Sequence, residues 1–358
     1  MSELAVIAQA FDIPGEFVSA IPTGSGHIND SYRVAFLVER KQVHYILQRI
    51  NRHVFADPAA LMHNIQRVTQ HLATKLAAQP DAHRRRLTVI PTRDARAFHV
   101  DPLGDYWRAY PFIEDTRTFD IVESPAQAYQ AAKAFGRFQC LLADLPAPRL
   151  HDTIPDFHHT PRRFAQLKQA IASDVANRAH LARTEIEFAL RREAFTSVLL
   201  DAQLPERVTH NDTKFNNVLL DDCTGEALCV IDLDTVMPGL APCDFGDMVR
   251  TATSPAAEDE QDLSKVTMQI RMFEALACGY LASAGDFLIP AERSHLVAAG
   301  KLITFEQGVR FLTDYLAGDL YYKTHHPDQN LDRCRTQFKL VASIEDQEDA
   351  MQWLVELL

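Results

Sequence analysis

The chain has 358 residues, of which 47% are apolar and 23% are charged, enough to bury a large core in two lobes or domains. Its 48 acidic residues outnumber its 36 Lys and Arg residues, giving a net charge of −12, so neither nucleic acid nor an anionic membrane is an expected partner, since both need a positive face. The six cysteines form no CxxC pair, and no signal-like leader or ~20-residue apolar stretch is present, so we expect a cytoplasmic protein.

The first third of the chain is predicted to be rich in β-strands. Its strand-like runs are rich in β-branched and aromatic residues and are bounded by turn residues. They cover residues 17–23, 31–38, 44–48, 87–90, 97–100 and 106–113. One helix interrupts them, because apolar residues recur at helical spacing from Leu61 to Leu72, after Asp57 and Pro58 as the cap and first turn.

From about residue 124 the chain is predicted to be mainly helical. Ser124 and Pro125 have the pattern of an N-cap followed by proline at the first helical position. Further helices are predicted at residues 162–175, 178–201, 262–284 and 292–317. Residues 208–236 interrupt them with two short strands, at 218–220 and 228–231. These patterns predict an α+β protein, with a strand-rich lobe at 1–113 and a helical lobe at 114–358.

The densest polar cluster is THNDTKFNN at residues 209–217, and after it an apolar run ends at Asp232. Phosphoryl transfer needs a carboxylate that orients and deprotonates the attacking hydroxyl, oxygen ligands for Mg²⁺, and cations near the transferred phosphate. Protein kinases supply these groups with an HRD motif, an Asn five residues past its Asp, and a second Asp after a strand.

The cluster matches this arrangement. Residues 210–212 have the HxD pattern, Asn217 lies five residues past Asp212, and Lys214 lies two residues past it, within reach of a γ-phosphate. Asp232 ends an apolar strand 20 residues past Asp212. A short hairpin can bring the Asp232 carboxylate back over Asn217, so that one metal ion binds both side chains.

A second sequence motif is an alternative candidate for the metal site. Asp244-Phe245-Gly246 reads as the DFG magnesium motif of protein kinases, but it ends no apolar strand. We therefore assign the metal to Asp232, with Asp234 as the candidate second ligand, and expect Asp244 and Asp247 to cap and salt-bridge the following helix. Each motif alone is more often structural than catalytic, but their combination within residues 210–232 favours catalysis.

The stretches HNDTKFNN (210–217) and IDLDTVMPG (231–239) resemble the aminoglycoside phosphotransferase and choline kinase superfamily. Further segments resemble its N-acetylhexosamine 1-kinase branch, and the likeness runs over nearly the whole chain. These segments are 26–32, 45–51, 107–110, 112–114 and 310–316. The resemblance implies a two-lobed protein-kinase-like fold, with a nucleotide-binding N-lobe, and the cofactors ATP and Mg²⁺. It also implies phosphorylation of the anomeric hydroxyl of N-acetylglucosamine or N-acetylgalactosamine.

The resemblance further implies roles for individual residues. Asp212 would be the catalytic base and a substrate contact, and Asn217 and Asp232 would bind Mg²⁺. Residues 24–29 would cover the phosphates, with a plain hairpin as the alternative, and residues 110–114 would contact adenine. Because Pro111 has no N–H, the adenine donor must come from a neighbour such as Ile113. The implied ATP-binding residues are Gly24, Ser25, Gly26, His27, Asn29, Arg49, Tyr110, Phe112 and Ile113.

The implied sugar contacts are Arg310 and Tyr321. The alternative for Arg310 is an ion pair with Asp314 one helical turn later, and the alternative for Tyr321 is core packing. The partner implied is thus a small-molecule substrate, and no protein partner is implied.

Two positions depart from the kinase pattern. The third strand offers Gln48 and Arg49 where protein kinases have a Lys, so Arg49 is the candidate phosphate cation. The next helix has His63 where the family often has a Glu, so the usual ion pair is not expected. Two alternatives stay open: a kinase for an aminoglycoside, choline, ethanolamine or homoserine, and a nucleotide-binding pseudokinase.

Overall fold

The protein is described by a computed structural model over residues 3–24 and 28–358. The strands are β1 (Glu16–Pro22), β2 (Asp30–Val38), β3 (Lys41–Ile50), β4 (His99–Val100), β5 (Tyr106–Pro111), β6 (Thr116–Arg117), β7 (Arg207–Thr209), β8 (Val218–Asp221), β9 (Ala227–Val230) and β10 (Met237–Gly239). The α-helices are α1 (Glu3–Gln9), α2 (Pro58–Leu76), α3 (Pro125–Leu142), α4 (Thr160–Ser173), α5 (Arg183–Leu190), α6 (Val198–Asp201), α7 (Ala241–Ala252), α8 (Ile270–Ala284), α9 (Pro290–Ser294), α10 (Leu296–Ala317), α11 (Gln329–Glu345) and α12 (Glu348–Leu357). Every helix in these ranges is too short or too polar to span a bilayer.

One compact unit comprises Met1–Thr118, Asp144–Pro155 and Val218–Pro238. Its main sheet has the strand order β1-β2-β3-β5-β4, and all neighbouring strands are antiparallel. The apolar side chains of β2, β3 and β5 pack with those of α1 into one core. A second antiparallel sheet, β6-β8-β9, holds the hairpin that precedes Asp232.

The other compact unit comprises Phe119–Ala143, Asp156–Asn217 and Gly239–Leu358. It is mainly helical, with α10 packed against α4, α7 and α11, and α3 packed against α8. The rings of Phe164, Phe305 and Phe338 stack across α4, α10 and α11, with centroids 6.3 and 5.8 Å apart. An antiparallel N-terminal sheet followed by a mainly helical part confirms the predicted α+β class. The lobe boundary at 113/114 stays a prediction.

The start signals of two helices are confirmed. The Asp57 side chain accepts a hydrogen bond from the Ala60 N–H in α2, and the Ser124 side chain accepts one from the Gln127 N–H in α3. Each bond satisfies one of the backbone donors that a helix leaves unpaired at its first turn. The two strands predicted around residues 218–231 are also confirmed, as the antiparallel pair β8 and β9.

Other elements differ from the predictions. The run 87–90 contributes only an isolated bridge from Ile90 to Ala109, and the predicted helix 178–201 is broken into α5, a 3₁₀ turn at Glu193–Ser197 and α6. The sequence pattern does not predict α11, because many buried positions of this helix are polar, including Asn330 and Asp332. Hydrophobic periodicity cannot reveal a face whose burial depends on hydrogen bonds to distant residues.

Candidate active site

The loop between β7 and β8 brings three predicted site residues together. The Asn217 side chain donates from Nδ2 to the Asp212 carbonyl oxygen at 2.9 Å and to Asp212 Oδ2 at 3.1 Å. The Lys214 ammonium lies 3.2 Å from Asp212 Oδ1. These contacts hold the Asp212 carboxylate in one orientation. The carboxylate is 21% exposed, so it still reaches solvent. A carboxylate placed in this way can accept a proton from a hydroxyl group.

A buried carboxylate of α7 holds this loop in place. Asp244 Oδ2 accepts from the His210 N–H at 2.9 Å and from Gln139 Nε2 at 2.6 Å, and Oδ1 accepts from the Asn211 N–H at 2.7 Å. The Asp244 carbonyl oxygen also accepts from Thr213 Oγ1 at 2.6 Å. Burial raises the pKa of the Asp244 carboxyl, and the backbone donors of the loop oppose that rise.

The expectation that Asp244 caps its helix is therefore wrong. Leu240 occupies the N-cap position of α7, without a side-chain hydrogen bond, and Asp244 lies inside the first turn. The carboxylate points to the loop between β7 and β8, where it accepts the buried backbone N–H groups of His210 and Asn211. The expected ion pair is found at Asp247, which lies 2.8 Å from Arg250 one turn later. The sequence signal for the loop contact was the acidic residue at the start of an otherwise buried helix.

The other two residues of the DFG motif, Phe245 and Gly246, contribute to helix packing. Phe245 is fully buried and packs against Phe273 and Tyr280. A Cβ on Gly246 would lie 2.5 Å from the Ala299 carbonyl oxygen, so glycine allows α7 to approach α10 closely. A comparable close approach occurs at Gly239, where a Cβ would lie 2.4 Å from Thr209 Oγ1 and 2.9 Å from Asn211 Oδ1.

The hairpin places Asp232 and Asp234 in different surroundings. Val218 pairs with Val230 at the open end of the hairpin, so Asn217 precedes that end and Asp232 follows it. The Asp232 residue is exposed and adopts a left-handed φ of 58°, whereas Asp234 is 3% exposed. The Asp232 carboxylate thus reaches solvent at the strand end where the sequence predicts a metal ligand.

The Asp234 carboxylate already binds a cation. Arg108 on β5 pairs with Asp234 Oδ1 through Nη1, and the Asn29 Nδ2 group donates to Asp234 Oδ2 at 2.6 Å. The Arg108 Nε group also donates to Gln48 Oε1 at 3.0 Å. Arg108 is 1% exposed. Sequence reasoning missed this arginine, although it lies in one of the family-like segments.

Arg49, the predicted phosphate cation, is placed between two carboxylates. Its guanidinium pairs with Asp30 and lies 3.2 Å from Asp105. His63 contacts the ring of His151, with centroids 5.1 Å apart. His63, which stands where the family often has a Glu, thus packs against another ring on this face of α2.

The predicted phosphate turn is only partly described. Gly24 has a φ of 85°, and a Cβ built on it would meet no atom within 4 Å, so its backbone conformation is the reason for glycine there. Ser25, Gly26 and His27 lie outside the described residues. Asn29 bridges two segments, because it binds Asp234 through Nδ2 and accepts the Asn51 N–H at 3.0 Å through Oδ1.

The predicted adenine segment follows β5. The Tyr110 ring is buried under the Arg108 guanidinium, 5.5 Å from its centroid, and burial raises the Tyr110 pKa. The Phe112 N–H donates to the His44 carbonyl oxygen at 3.1 Å. In the described part of the chain no acceptor lies within bonding distance of the Ile113 N–H. The Ile113 N–H can therefore bond adenine without breaking a bond within the described residues.

The predicted sugar contact Arg310 lies beside a second arginine. Its guanidinium donates to Gln307 Oε1 at 3.0 Å and lies 5.4 Å from the Phe157 ring centroid. Arg163 on α4 donates to the Phe157 carbonyl oxygen at 3.2 Å. Burial lowers the pKa of Arg163, and the charge of Arg310 lowers it further. The two guanidinium groups are therefore close enough to repel each other.

Both structural alternatives for the sugar contacts are wrong. Asp314 does not pair with Arg310, because its carboxylate accepts the N–H groups of Leu320, Tyr321 and Tyr322 instead. Tyr321 is 57% exposed and so does not pack in the core. Tyr321 is therefore at the surface of this unit, whereas Arg310 is half-buried.

A buried ion pair connects the arginine pair with the catalytic loop. His158 Nδ1 lies 2.9 Å from Glu306 Oε1, and His158 Nε2 lies 3.1 Å from the Asn211 carbonyl oxygen. Burial acts to lower the pKa of His158, but the Glu306 carboxylate outweighs it and raises the pKa. Burial likewise acts to raise the pKa of Glu306, and His158 lowers it. Each side chain therefore favours the charged form of the other.

Comparison with known proteins decides the family. The sequence profile of the phosphotransferase enzyme family matches residues 19–277, more than half of the chain. The chain belongs to this family. The predicted superfamily and the predicted phosphotransferase class are thereby confirmed, whereas the N-acetylhexosamine branch stays a prediction.

Solved structures share the fold of this phosphotransferase. An aminoglycoside phosphotransferase from Alicyclobacillus acidocaldarius subsp. acidocaldarius matches with a TM-score of 0.64 at 12% identity, covering 99% of this chain and 96% of that one. A choline/ethanolamine kinase family protein from Mesorhizobium loti matches with a TM-score of 0.58 at 17% identity, covering 100% of both chains. A spectinomycin phosphotransferase in complex with ADP and spectinomycin matches with a TM-score of 0.51 at 14% identity, covering 96% and 95%. These likenesses confirm the kinase-like fold.

Asn217 and Asp232, which belong to different compact units, each carry a side-chain oxygen of the kind that magnesium binds. Asn217 donates both its hydrogen bonds through Nδ2, which directs Oδ1 elsewhere, and Asp232 is exposed. Mg²⁺ prefers such oxygen ligands and completes its shell with water and phosphates. The described residues contain no group of three His, Cys, Asp or Glu side chains that could hold a metal alone.

Proposed function

We propose that this phosphotransferase is a small-molecule kinase that transfers phosphate from ATP to the anomeric hydroxyl of an N-acetylhexosamine. Asp212 orients that hydroxyl and takes its proton, and Lys214 stabilises the transferred phosphate. Asn217 and Asp232 hold the Mg²⁺ ion, which neutralises charge on the phosphates when it is bound. The orientation of Asp212 by Asn217 and Lys214 supports the first of these roles.

The nucleotide contacts in this proposal come from the other compact unit. Residues 24–29 are the proposed phosphate cover, of which Ser25, Gly26 and His27 lie outside the described residues. Arg49 is the proposed phosphate contact, and it would share its charge with Asp30 and Asp105. Tyr110, Phe112 and Ile113 line the adenine site, where the Ile113 N–H is the donor. The family match and the ADP in a spectinomycin phosphotransferase of the same fold support ATP as the phosphate source.

The charge around Arg163 and Arg310 is the observation that favours a sugar. Nearby carboxylates are already compensated, since Glu306 pairs with His158 and Asp247 pairs with Arg250. The two guanidinium groups therefore leave a local positive surplus around Phe157, in the unit that carries Asp212. A cationic acceptor such as choline, ethanolamine or an aminoglycoside would be repelled there.

A neutral acceptor with a carbonyl group would gain from the same surplus. The amide oxygen of an N-acetyl group can accept hydrogen bonds from a guanidinium, and Tyr321 offers an exposed ring on which a sugar can pack. The one hydrogen bond of the Arg310 side chain within the described residues goes to Gln307, so further donors remain for a ligand. Arg310 and Tyr321 are thus the proposed sugar contacts, with Arg163 beside them.

The arginine pair also fits an acceptor that carries a carboxylate. Homoserine has such a group and a phosphorylatable hydroxyl, and an arginine can bind a carboxylate with two parallel hydrogen bonds. A homoserine kinase is therefore the second candidate function.

The test is ADP release with Mg-ATP over a panel of acceptors. The panel contains N-acetylglucosamine, N-acetylgalactosamine, glucose, galactose, choline, homoserine and kanamycin, and Asp212→Asn is the inactive reference. We expect turnover with the N-acetylhexosamines only, and phosphorus NMR should place the phosphate on the anomeric carbon. Turnover confined to choline or kanamycin would refute the proposal, and turnover with homoserine would select the second candidate. Nucleotide binding without any turnover would favour a pseudokinase.

A matched pair of variants tests the arginine argument. Arg163→Gln should raise the KM for the acceptor by about 10-fold and change kcat less, because it removes a contact made in ground and transition states alike. Arg162→Gln is the control, since Arg162 is the exposed neighbour on the same helix and pairs with Asp156. Equal effects of both variants would show that the charge at Arg163 does not select the acceptor.

A further inference from the structure

The unit that carries Asp232 has a buried arginine that no predicted role uses. Arg108 on β5 lies directly opposite Gln48 on β3 in the sheet register, and the two side chains are hydrogen-bonded at 3.0 Å. Protein kinases have a phosphate-binding Lys on the corresponding third strand. Here β3 has Gln48 and Arg49 in that region, and the arginine opposite Gln48 is Arg108 on the adjacent strand. At 1% exposure, Arg108 is too deeply buried to be a surface salt-bridge residue.

The charge of Arg108 is matched by one carboxylate. A buried arginine stays protonated and needs a partner. Burial acts to lower the pKa of Arg108, but Asp234, Tyr110 and Asp232 together raise it above the ordinary value. The guanidinium therefore pairs with Asp234 and lies within electrostatic reach of the Asp232 carboxylate as well.

Each carboxylate oxygen of Asp234 already has a partner, so a metal ion would have to share it. Oδ1 is paired with Arg108 and Oδ2 with Asn29, while the Asp234 carbonyl oxygen accepts from Thr153 Oγ1 at 2.8 Å. All three contacts anchor the short turn that begins at Asp232. Asp232 itself has a φ of 58°, a left-handed conformation that Asp adopts more readily than most residues other than glycine.

We propose that Arg108 and Asp234 form a neutral buried pair that positions Asp232 as the acidic ligand of the nucleotide-bound Mg²⁺, and that Asp234 itself is not a ligand. Arg108 is a positioning residue in this scheme, because it acts through Asp234. The inference rests on the proposed ATP-dependent function, and it replaces the expectation that Asp234 is a second ligand. The pair matters as a pair, since losing either member leaves an uncompensated charge beside the ion.

The test compares single and double replacements by the binding of Mg-ADP, measured by calorimetry. Asp234→Asn leaves the Arg108 charge next to the ion, and Arg108→Met leaves a buried carboxylate that can capture the ion in a wrong geometry. Each single variant should weaken Mg-dependent ADP binding about 10-fold or more. The double variant removes both charges and should recover to within about 3-fold of the wild type, and Arg108→Lys should be affected less than Arg108→Met.

Two further measurements separate the explanations. The melting temperature measured without Mg²⁺ should recover in the double variant in the same way, because replacing both residues leaves no unpaired buried charge. Arg117→Met is the control, since Arg117 forms an exposed ion pair with Asp222 in the same unit and should change neither readout. If the double variant binds Mg-ADP as poorly as Asp234→Asn, then Asp234 is a ligand and the inference is wrong. If the wild type fails to bind Mg-ADP, the proposed function fails first.

Discussion

Replacing Asp244 with Asn should loosen the catalytic loop without changing the metal site. The carboxylate accepts three hydrogen bonds, two of them from backbone N–H groups of residues 210 and 211. An amide has one acceptor oxygen and one donor nitrogen. In either orientation of the Asn side chain, at least one of the buried donors loses its acceptor and faces another donor.

The magnitude follows from these contacts. A hydrogen bond to a charged group contributes about 1.5–3 kcal/mol, and an unsatisfied buried polar group costs about 1–3 kcal/mol. Because the amide oxygen keeps part of the network, we expect the free energy of unfolding to fall by about 2–4 kcal/mol. Asp212 follows the affected backbone directly, and a misplacement of about 1 Å can cost about 100-fold in rate. We therefore expect kcat to fall by about 10- to 100-fold.

Two assays on the same preparations check both effects. Urea unfolding gives the change in stability, and ADP release at varied Mg²⁺ gives kcat and the Mg²⁺ concentration at half-saturation. The half-saturating Mg²⁺ concentration of Asp244→Asn should stay within about 3-fold of the wild type, since we assign no metal contact to this buried residue. The matched variant is Asp232→Asn. Its exposed side chain should change stability by less than about 1 kcal/mol and raise the Mg²⁺ requirement by about 10-fold or more.

The opposite pattern would refute the reasoning. If Asp244→Asn keeps the wild-type stability and raises the Mg²⁺ requirement, then Asp244 binds the metal as the DFG spelling suggests. If Asp232→Asn destabilises the protein as much as Asp244→Asn does, then Asp232 is a structural residue.

Three further predictions concern the helical unit. The folded pKa of His158 is raised and that of Glu306 is lowered, so the pair stabilises the protein most at pH values between the two ordinary pKa values. This stabilisation is lost as the pH rises through the His158 pKa or falls through the Glu306 pKa. The free energy of unfolding of Glu306→Gln should therefore be lower than that of the wild type by about 3–5 kcal/mol at most, and this difference should shrink on both sides of that pH range. Gly246→Ala should destabilise by about 1–3 kcal/mol in urea, because its Cβ would meet the Ala299 carbonyl oxygen. Phe305→Ala should cost about 3–5 kcal/mol in the same assay. A pH-independent difference for Glu306→Gln, or wild-type stability of the other two variants, would contradict these expectations.

Local patterns were enough to predict the strand-rich start, the capped helices and the hairpin at 218–231. They also grouped Asp212, Lys214 and Asn217, because these residues lie within six positions of one another and a single loop holds them together. The rejection of the DFG motif at Asp244 as a metal site stays a prediction, whereas the capping role given to Asp244 instead was wrong. The backbone N–H groups that Asp244 binds are about 33 residues away in the chain, and a local sequence pattern cannot predict a contact over that separation.

The sequence alone therefore determined the superfamily, the α+β class and the candidate catalytic loop, since these depend on short-range periodicity and on motifs of fixed spacing. Only the tertiary structure decided which charged residues compensate one another. It paired Arg108 with Asp234 across 126 positions, placed Arg49 between two other carboxylates, and left Arg163 beside Arg310. The physical reason is that burial makes each charge depend on its nearest partner in space, and partners from distant segments meet only in the folded protein.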